Sequence, residues 1–309
     1  LKGIVYKSTG SWYLLKGDDN LFHQARLKGK FKIDDITSTN PIAVGDFVEF
    51  EWESEEGGSA IINELHARRN YVNRISPANK RMHHIIASNI DQSVLIATIK
   101  DPKTSTGFID RFLVTCEAFH IPAIVLFNKA DIYRDKELKI FQERKEIYER
   151  IGYSVLLTSV TNGDGIGDLK HALQNKTTLF SGHSGVGKSS LINTILGDSN
   201  IRTNEVSAWS GKGMHTTTFA EMHDLPIGGK IIDTPGMREF AIADIERSEL
   251  SHYFPEMRIL LNDCQYNNCM HINEPSCAVK NAVINGQISE DRYISYCTIL
   301  DSIKENDWD

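Results

Sequence analysis

The stretch Gly182-His183-Ser184-Gly185-Val186-Gly187-Lys188-Ser189, taken with what stands before it, decides how this chain is read. It follows a short apolar run, Thr177-Thr178-Leu179-Phe180-Ser181, and opens an apolar segment of helical character over 189–196, with Ser190 in its first turn. At a strand-to-helix junction of this kind glycines let backbone N–H groups close around phosphates, Lys188 reaches the outer phosphate oxygens, and Ser189 offers its hydroxyl to Mg²⁺. Further on, Asp233-Thr234-Pro235-Gly236 ends a second apolar run, placing Asp233 to reach Mg²⁺ through water and the Gly236 N–H to sense a γ-phosphate. Between the two lies Gly211-Lys212-Gly213-Met214-His215-Thr216-Thr217-Thr218, the place for a first switch; Thr217, or Thr216 in its stead, would complete the Mg²⁺ shell.

What stands before the phosphate loop is Asn128-Lys129-Ala130-Asp131, directly after the apolar run Ala123-Ile124-Val125-Leu126-Phe127. Asp131 accepts from both the ring N–H and the exocyclic amine of guanine, an arrangement adenine does not supply, while Asn128 fixes the loop at the purine edge and Lys129 lies along the base. Thr158-Ser159-Val160 ends the next strand, and the Ser159 backbone is placed to meet the guanine carbonyl. These motifs belong to a GTPase, but base recognition precedes phosphate binding, the reverse of the ordinary order. The chain therefore reads as a circular permutation, which a domain tolerates because its termini commonly lie close together on the surface. The join is short: an amphipathic stretch at 166–174, then Asn175 and Lys176. The cut falls just after the second switch, so whatever follows is covalently tied to the nucleotide-sensing loop.

After Gly236, where many GTPases carry a water-orienting glutamine, stands Met237, and a thioether does not position water. Unaided turnover should be slow. His215 is the nearest candidate to orient or deprotonate water and, with Lys188, forms the candidate catalytic pair; a packing role for His215 fits the pattern equally.

The 309 residues leave room for two or three domains, with no apolar stretch of membrane-spanning length and no secretory leader at the start, so a cytoplasmic protein is expected. The net charge of −7 argues against bulk attraction to nucleic acid, but the distribution is uneven. The interval 66–84 holds Arg68, Arg69, Arg74, Lys80 and Arg81 and no acid, a strip for RNA or simply a solvated face. Residues 1–66 show short alternating runs split by turn signals and fit a small antiparallel barrel of the oligonucleotide-binding type. From 67 to 245, buried runs alternate with helical segments at 108–119 and 136–151, implying a mainly parallel α/β sheet with ligands at the strands' C-terminal ends. Residues 246–309 are helix-rich and acidic. There Cys264-x4-Cys269-x-His271-x5-Cys277 brings three thiolates and an imidazole together, a donor set suited to one structural, tetrahedral Zn²⁺. Cys116 and Cys297 read as core residues.

As a set, the barrel, the permuted motif order, the Gly-Lys-Gly-Met-His-Thr-Thr-Thr run and the cysteine–histidine cluster resemble the ribosome small-subunit-dependent GTPase A family. Its members are bacterial, circularly permuted GTPases acting late in maturation of the small ribosomal subunit. The resemblance implies a catalytic role for His215, a hydrophobic residue in glutamine's place at Met237, and a barrel and zinc lobe that grip ribosomal RNA. The expected protein is a cytoplasmic monomer without membrane contact, a GTP hydrolase stimulated by the small ribosomal subunit and serving as a late assembly checkpoint. It binds GTP and GDP with Mg²⁺. Two departures stand out. Gly185 takes the place of the asparagine of potassium-stimulated GTPases, and the tail from residue 246 carries five Lys/Arg against eleven Asp/Glu, which restricts RNA contact there to local patches. The competing readings are a nucleotide-sensing RNA-binding module with incidental hydrolysis, and a GTPase acting on tRNA or a signalling partner.

Overall fold

Alternation along β1 (Lys2–Ser8) sends Val5 into one hydrophobic core and Tyr6 into another, and both are fully buried. The computed structural model describes residues 1–28, 40–53, 58–75, 83–197, 220–234 and 245–303. On Val5's side, β1 closes a barrel with β2 (Tyr13–Gly17), β3 (Phe22–Leu27), β4 (Phe47–Trp52) and β5 (Ala60–Leu65), in the order β1-β2-β3-β5-β4 and back to β1. Val5, Leu15, Ala25, Val48, Phe50 and Ile62 fill it. All pairs are antiparallel except β3 with β5, where the sequence pattern had suggested antiparallel pairing throughout. The exception is a matter of parity: a closed ring of five strands cannot alternate direction at every step.

A hairpin of β6 (Tyr71–Ile75) and β7 (His83–Ser88), not foreseen from the sequence, joins the barrel to the central domain. Part of the basic strip is structural here. The Arg68 side chain is only 9% exposed, its guanidinium forked onto the fully buried Asp46 at 2.6 and 2.7 Å, and Arg69 pairs with Asp91 at 2.6 Å. An arginine held by a buried carboxylate is not free for phosphate.

The central sheet runs β10 (Ser154–Leu157), β9 (Ala123–Phe127), β8 (Gln92–Ala97), β11 (Thr177–Gly182), β13 (Lys230–Asp233), β12 (Glu221–Asp224). Its first five strands are parallel and β12 is antiparallel to β13. All six residues of β8 are buried, as a strand covered on both faces requires. Leu95 and Ala97 face α1 (Thr106–Ala118) and α2 (Asp135–Arg150); Val94 and Ile96 face α3 (Ile166–Leu173) and α4 (Lys188–Leu196). In α3, Ile166, Leu169 and Leu173 make the inward stripe, and after three more residues the chain re-enters the sheet as β11.

The C-terminal lobe comprises a 3₁₀ turn (Arg247–Tyr253), α5 (Pro255–Arg258), α6 (Ala278–Ile284) and α7 (Glu290–Ser302) around Leu250, Phe254, Val279 and Tyr296. It docks on α1, whose Val114 belongs to the lobe's core. At the junction the buried Arg292 forks onto Glu256 at 2.6 and 3.1 Å and reaches Asp110 of α1 at 2.7 Å. Burial pushes the Asp110 carboxyl up, opposed by the Arg292 charge. Tyr148 donates to the same Asp110 oxygen at 2.9 Å, and the guanidinium stacks 4.6 Å above the Phe254 ring.

Removing one member of such a cluster leaves buried charge uncompensated. Arg292→Met is expected to lower unfolding free energy by about 3–5 kcal/mol, and Arg292→Lys should rescue little because an ammonium cannot fork. Urea titration followed by circular dichroism checks this; an unchanged midpoint in Arg292→Met would contradict the role given to the cluster.

Candidate functional site

Because the strands are parallel and in register, their C-terminal ends line up: Gly182 stands beside Ile96, Ala97 beside Phe127, Phe127 beside Leu157, and Phe180 beside Asp233. The ends of β9, β10, β11 and β13 each carry one of the motifs, and β8 between them leads into Asp101-Pro102. The phosphate loop leaves β11 at Gly182 and enters α4 at Lys188. A Cβ on Gly182 would lie 2.6 Å from the Ile96 carbonyl oxygen, and one on Gly187 would lie 2.4 Å from the Asn128 amide nitrogen, in a backbone with φ +93°. Both positions need glycine, the second twice over.

Lys188 Nζ donates to the Asp233 carboxylate at 2.7 Å and to the Thr234 carbonyl at 2.8 Å. The phosphate-reaching cation and the carboxylate of the second switch thus share one spot at the N-terminus of α4. Ser189 and Ser190 are exposed in that helix's first turn, as are Ser184 and Gly185 in the loop, whereas Val186 is buried beneath it. His183 stacks on Phe108 of α1 with ring centroids 3.6 Å apart.

Asn128 binds the two halves of the site together. Its side-chain N–H₂ donates to the Val186 carbonyl at 2.9 Å, its Oδ1 accepts from the Thr158 hydroxyl at 3.0 Å, and its backbone N–H goes to Ala97 at 2.9 Å. Ser159 donates its hydroxyl to Asp131 at 2.6 Å, and this bond holds the Asp131 carboxyl below the usual carboxylate range. The Ser159 backbone N–H, which the sequence assigned to guanine, is given to the Asp164 carbonyl at 3.0 Å. The group that Ser159 turns to the base-recognition loop is its hydroxyl. Lys129, in the left-handed region at φ +67°, donates its ammonium to the Asp101 carbonyl at 2.5 Å.

Two contributors escaped the sequence reading. One is Phe108 under His183; the other is Asp101-Pro102, which follows the end of β8, accepts from Lys129 through the Asp101 carbonyl, and sets Pro102 Cδ 3.6 Å from where a Cβ on Gly185 would lie. Their signal was positional, a polar loop at the C-terminal end of a central parallel strand. His215, Thr216, Thr217, Gly236 and Met237 lie outside the described residues.

A second centre lies in the C-terminal lobe. Ligand atoms of Cys264, Cys269, His271 and Cys277 all fall within 4.8 Å of one another, and His271 Nδ1 lies 3.4 Å from Cys277 Sγ and 3.6 Å from Cys264 Sγ. The donor set fits a metal ion. Burial lowers the His271 pKa and so keeps the imidazole in its neutral, ligating form, while burial pushes the Cys269 thiol up to about 12, a cost that a bound cation would reverse. The loop is clamped from outside by Tyr293 and Tyr296, whose hydroxyls donate to the carbonyls of His271 and Met270 at 2.6 and 2.9 Å. Cys116 is buried in α1, and Cys297 of α7 packs against the lobe's core.

Residues 65–243 match the RsgA GTPase family and residues 2–61 its N-terminal domain. The chain belongs to the RsgA GTPase family. Similar proteins include the small ribosomal subunit biogenesis GTPase RsgA of Cytophaga hutchinsonii, 50% identical over 300 residues, covering 97% of this chain and 98% of that one. That of Flavobacterium psychrophilum is 48% identical over 306 residues, covering 99% and 94%. Among solved structures, YjeQ from Thermotoga maritima superposes with a TM-score of 0.77 at 34% identity, covering 97% of each chain. YloQ, described as a circularly permuted GTPase, gives 0.74 at 30% identity, covering 98% and 94%. The permuted order of an RsgA GTPase is therefore that of this chain too. No helix among the described residues is long and apolar enough to cross a membrane.

The Ser159–Asp131 bond has a pH signature. If Asp131 reads the guanine edge, selectivity requires its carboxylate and is lost as pH falls through its pKa, so removing the hydroxyl that depresses this pKa shifts the loss to higher pH. Competition of GDP against ADP, measured across acid pH, should show selectivity collapsing earlier in Ser159→Ala than in the parent. Superimposable curves would count against the assignment.

Proposed function

We propose that the protein is a GTP hydrolase, slow alone and stimulated by the small ribosomal subunit, that binds ribosomal RNA and serves as a late checkpoint in subunit assembly. The observation that carries this reading is the single rim on which Asn128, Asp131, Lys188 and Asp233 meet, in a chain of the RsgA GTPase family whose relatives are named for small-subunit biogenesis. Asp131 accepts from the guanine edge, Asn128 and Lys129 flank the base, and the 182–190 loop wraps the phosphates with Lys188 as point charge. Ser189 and Thr217 would hold Mg²⁺, with Asp233 reaching it through water, and the ion would neutralise phosphate charge. Gly236 senses the γ-phosphate. With Met237 unable to orient water, His215 takes that part. The chain divides at 1–66, 67–245 and 246–309, the barrel gripping RNA and the lobe stabilised by one structural Zn²⁺ on Cys264, Cys269, His271 and Cys277. The protein works in the cytoplasm as a monomer.

Lys188→Ala should weaken GTP binding and reduce turnover by on the order of 10²–10³ while the fold persists. Small subunits should accelerate hydrolysis and bind roughly tenfold more tightly with a non-hydrolysable GTP analogue than with GDP. Co-sedimentation and phosphate release measure both. Affinity indifferent to nucleotide, with no rate enhancement, would leave a GTPase without its ribosomal role.

Zinc should be present at one equivalent per chain by elemental analysis, and Cys269→Ser or Cys277→Ser should release it and speed amide exchange in α6 and α7 more than around the nucleotide site. A metal-free protein of unchanged stability, with freely reactive thiols, would remove the zinc assignment.

A further inference from the structure

The GTPase sheet would end at β12, the strand between the first switch and the strand leading to Asp233, were it not for the barrel. β1 lies along its outer edge, so that barrel and GTPase form one continuous sheet of eleven strands. Lys7 of β1 stands opposite Glu221 of β12, Glu221 opposite Asp233 of β13, and Asp233 opposite Phe180 of β11. One row of paired residues thus runs from the barrel to the carboxylate that Lys188 grips.

Side chains reinforce the row. Tyr6, fully buried, inserts its ring into the GTPase core beside Met222 and Ile232, and its hydroxyl donates to Asp224 Oδ1 at 2.6 Å. Lys16 of β2 donates to the other oxygen of Asp224 at 2.6 Å, and Lys7 donates to Glu221 at 3.1 Å. Lys230 lies 4.0 Å from Asp224 on the inner side. Among the described residues the backbone register of β1 with β12 covers the single pair Lys7–Glu221, against four pairs between β12 and β13. Elsewhere the barrel is held to the 85–89 segment, Asn40 bonding to Ile85, Val44 to Ser88 and Gly45 to Asn89; with so little ladder, its hold on β12 itself rests on the Tyr6–Lys16–Asp224 clamp and the Lys7–Glu221 pair.

We propose that this clamp is the route by which engagement of the barrel acts on hydrolysis, with Tyr6, Lys16 and Asp224 as positioning residues that tie the barrel to the end of the first switch. The inference rests on the ribosomal reading above. The edge strand beside the switches is an exposed row of hydrogen-bonding groups that would otherwise suit an external partner strand. Here the chain's own barrel holds it. A barrel seated on RNA cannot then shift without moving β12, and β12 cannot shift without moving both switch-bearing ends.

The test compares wild type, Asp224→Ala, the double variant Tyr6→Phe/Lys16→Ala, and the charge exchange Lys16→Asp/Asp224→Lys. Subunit-stimulated turnover should fall roughly tenfold in the first two, with intrinsic turnover within about twofold and subunit affinity within about threefold of wild type, and the exchange should recover at least about half of the stimulation. Full stimulation in the disrupted variants, a parallel loss of affinity, or no recovery in the exchange would overturn the proposal. A readout without ribosomes separates this from failure of the ribosomal reading. In wild type, passing from GDP to a non-hydrolysable GTP analogue should change amide exchange in β1 as well as β12, and in Asp224→Ala the change should stop at β12. If wild-type subunits stimulate nothing, the ribosomal reading falls, and the exchange pattern still decides the clamp: an unaltered β1 in wild type rejects it.

Discussion

The side chain of Asn128 is the constraint on which the nucleotide site depends. The phosphate loop is rich in glycine and fixes little by itself, yet its Val186 carbonyl is held by an amide 58 residues earlier in the chain, and the same amide takes the Thr158 hydroxyl on its other side. Asn128 is buried, so each of its polar atoms must find a partner or cost about 1–3 kcal/mol. Base loop, phosphate loop and the strand end at Thr158 are consequently fixed together. Gly187 has to be glycine partly because the Asn128 amide occupies the space of its Cβ. Permutation leaves this arrangement intact, since it depends on which strand ends are adjacent in space and not on the order in which the chain visits them.

The motifs made the site legible in sequence because their chemistry is local: a loop between a strand and a helix, a carboxylate after a strand, four soft donors in a short span. The sheet was legible for a similar reason, since strands such as Ser93–Ala97 and Ala123–Phe127 are apolar on both faces. What stayed hidden depends on long-range geometry. Nothing near Ser159 announces that its N–H goes to Asp164, or that its hydroxyl steadies Asp131. Arg68 lies in a run of bases that reads as an RNA strip, but Asp46, buried 22 residues earlier, claims it. The parallel β3–β5 pair follows from closure of the ring and from no residue in either strand.

Tyr6 and Arg292 show how the appendages join the central domain. Tyr6 reads in sequence as one aromatic of a barrel strand, yet its ring belongs to the GTPase core while its neighbour Val5 belongs to the barrel. Arg292 sits in a helix of acidic composition, and both its carboxylate partners are remote, one 36 and the other 182 residues away. In each case a residue that belongs by sequence to one unit completes the interior of another, which is why the boundaries between units are clearer in the chain than in the packing.

The two attachments differ in what they can transmit. The permutation ties the C-terminal lobe by its backbone to the chain that leaves Asp233-Thr234, which would let the second switch pull on the lobe directly. The lobe's own anchorage lies elsewhere: on α1, through Val114 and the Asp110–Arg292–Glu256 cluster, and at the outer end through the ion pair of Arg258 with Glu117. A buried charge cluster has few intermediate geometries, so it holds the lobe on α1 in one arrangement. The barrel too has a buried anchorage, Asn40, Val44 and Gly45 being hydrogen-bonded to the 85–89 segment, but it meets the sheet edge as well. It is hydrogen-bonded to β12, which begins where the first switch ends and pairs with the strand carrying Asp233. The covalent route thus leads to a rigidly held lobe and the non-covalent one to the strand paired with that of Asp233. Of the two appendages, the barrel is the one paired through a strand to the chain that carries Asp233.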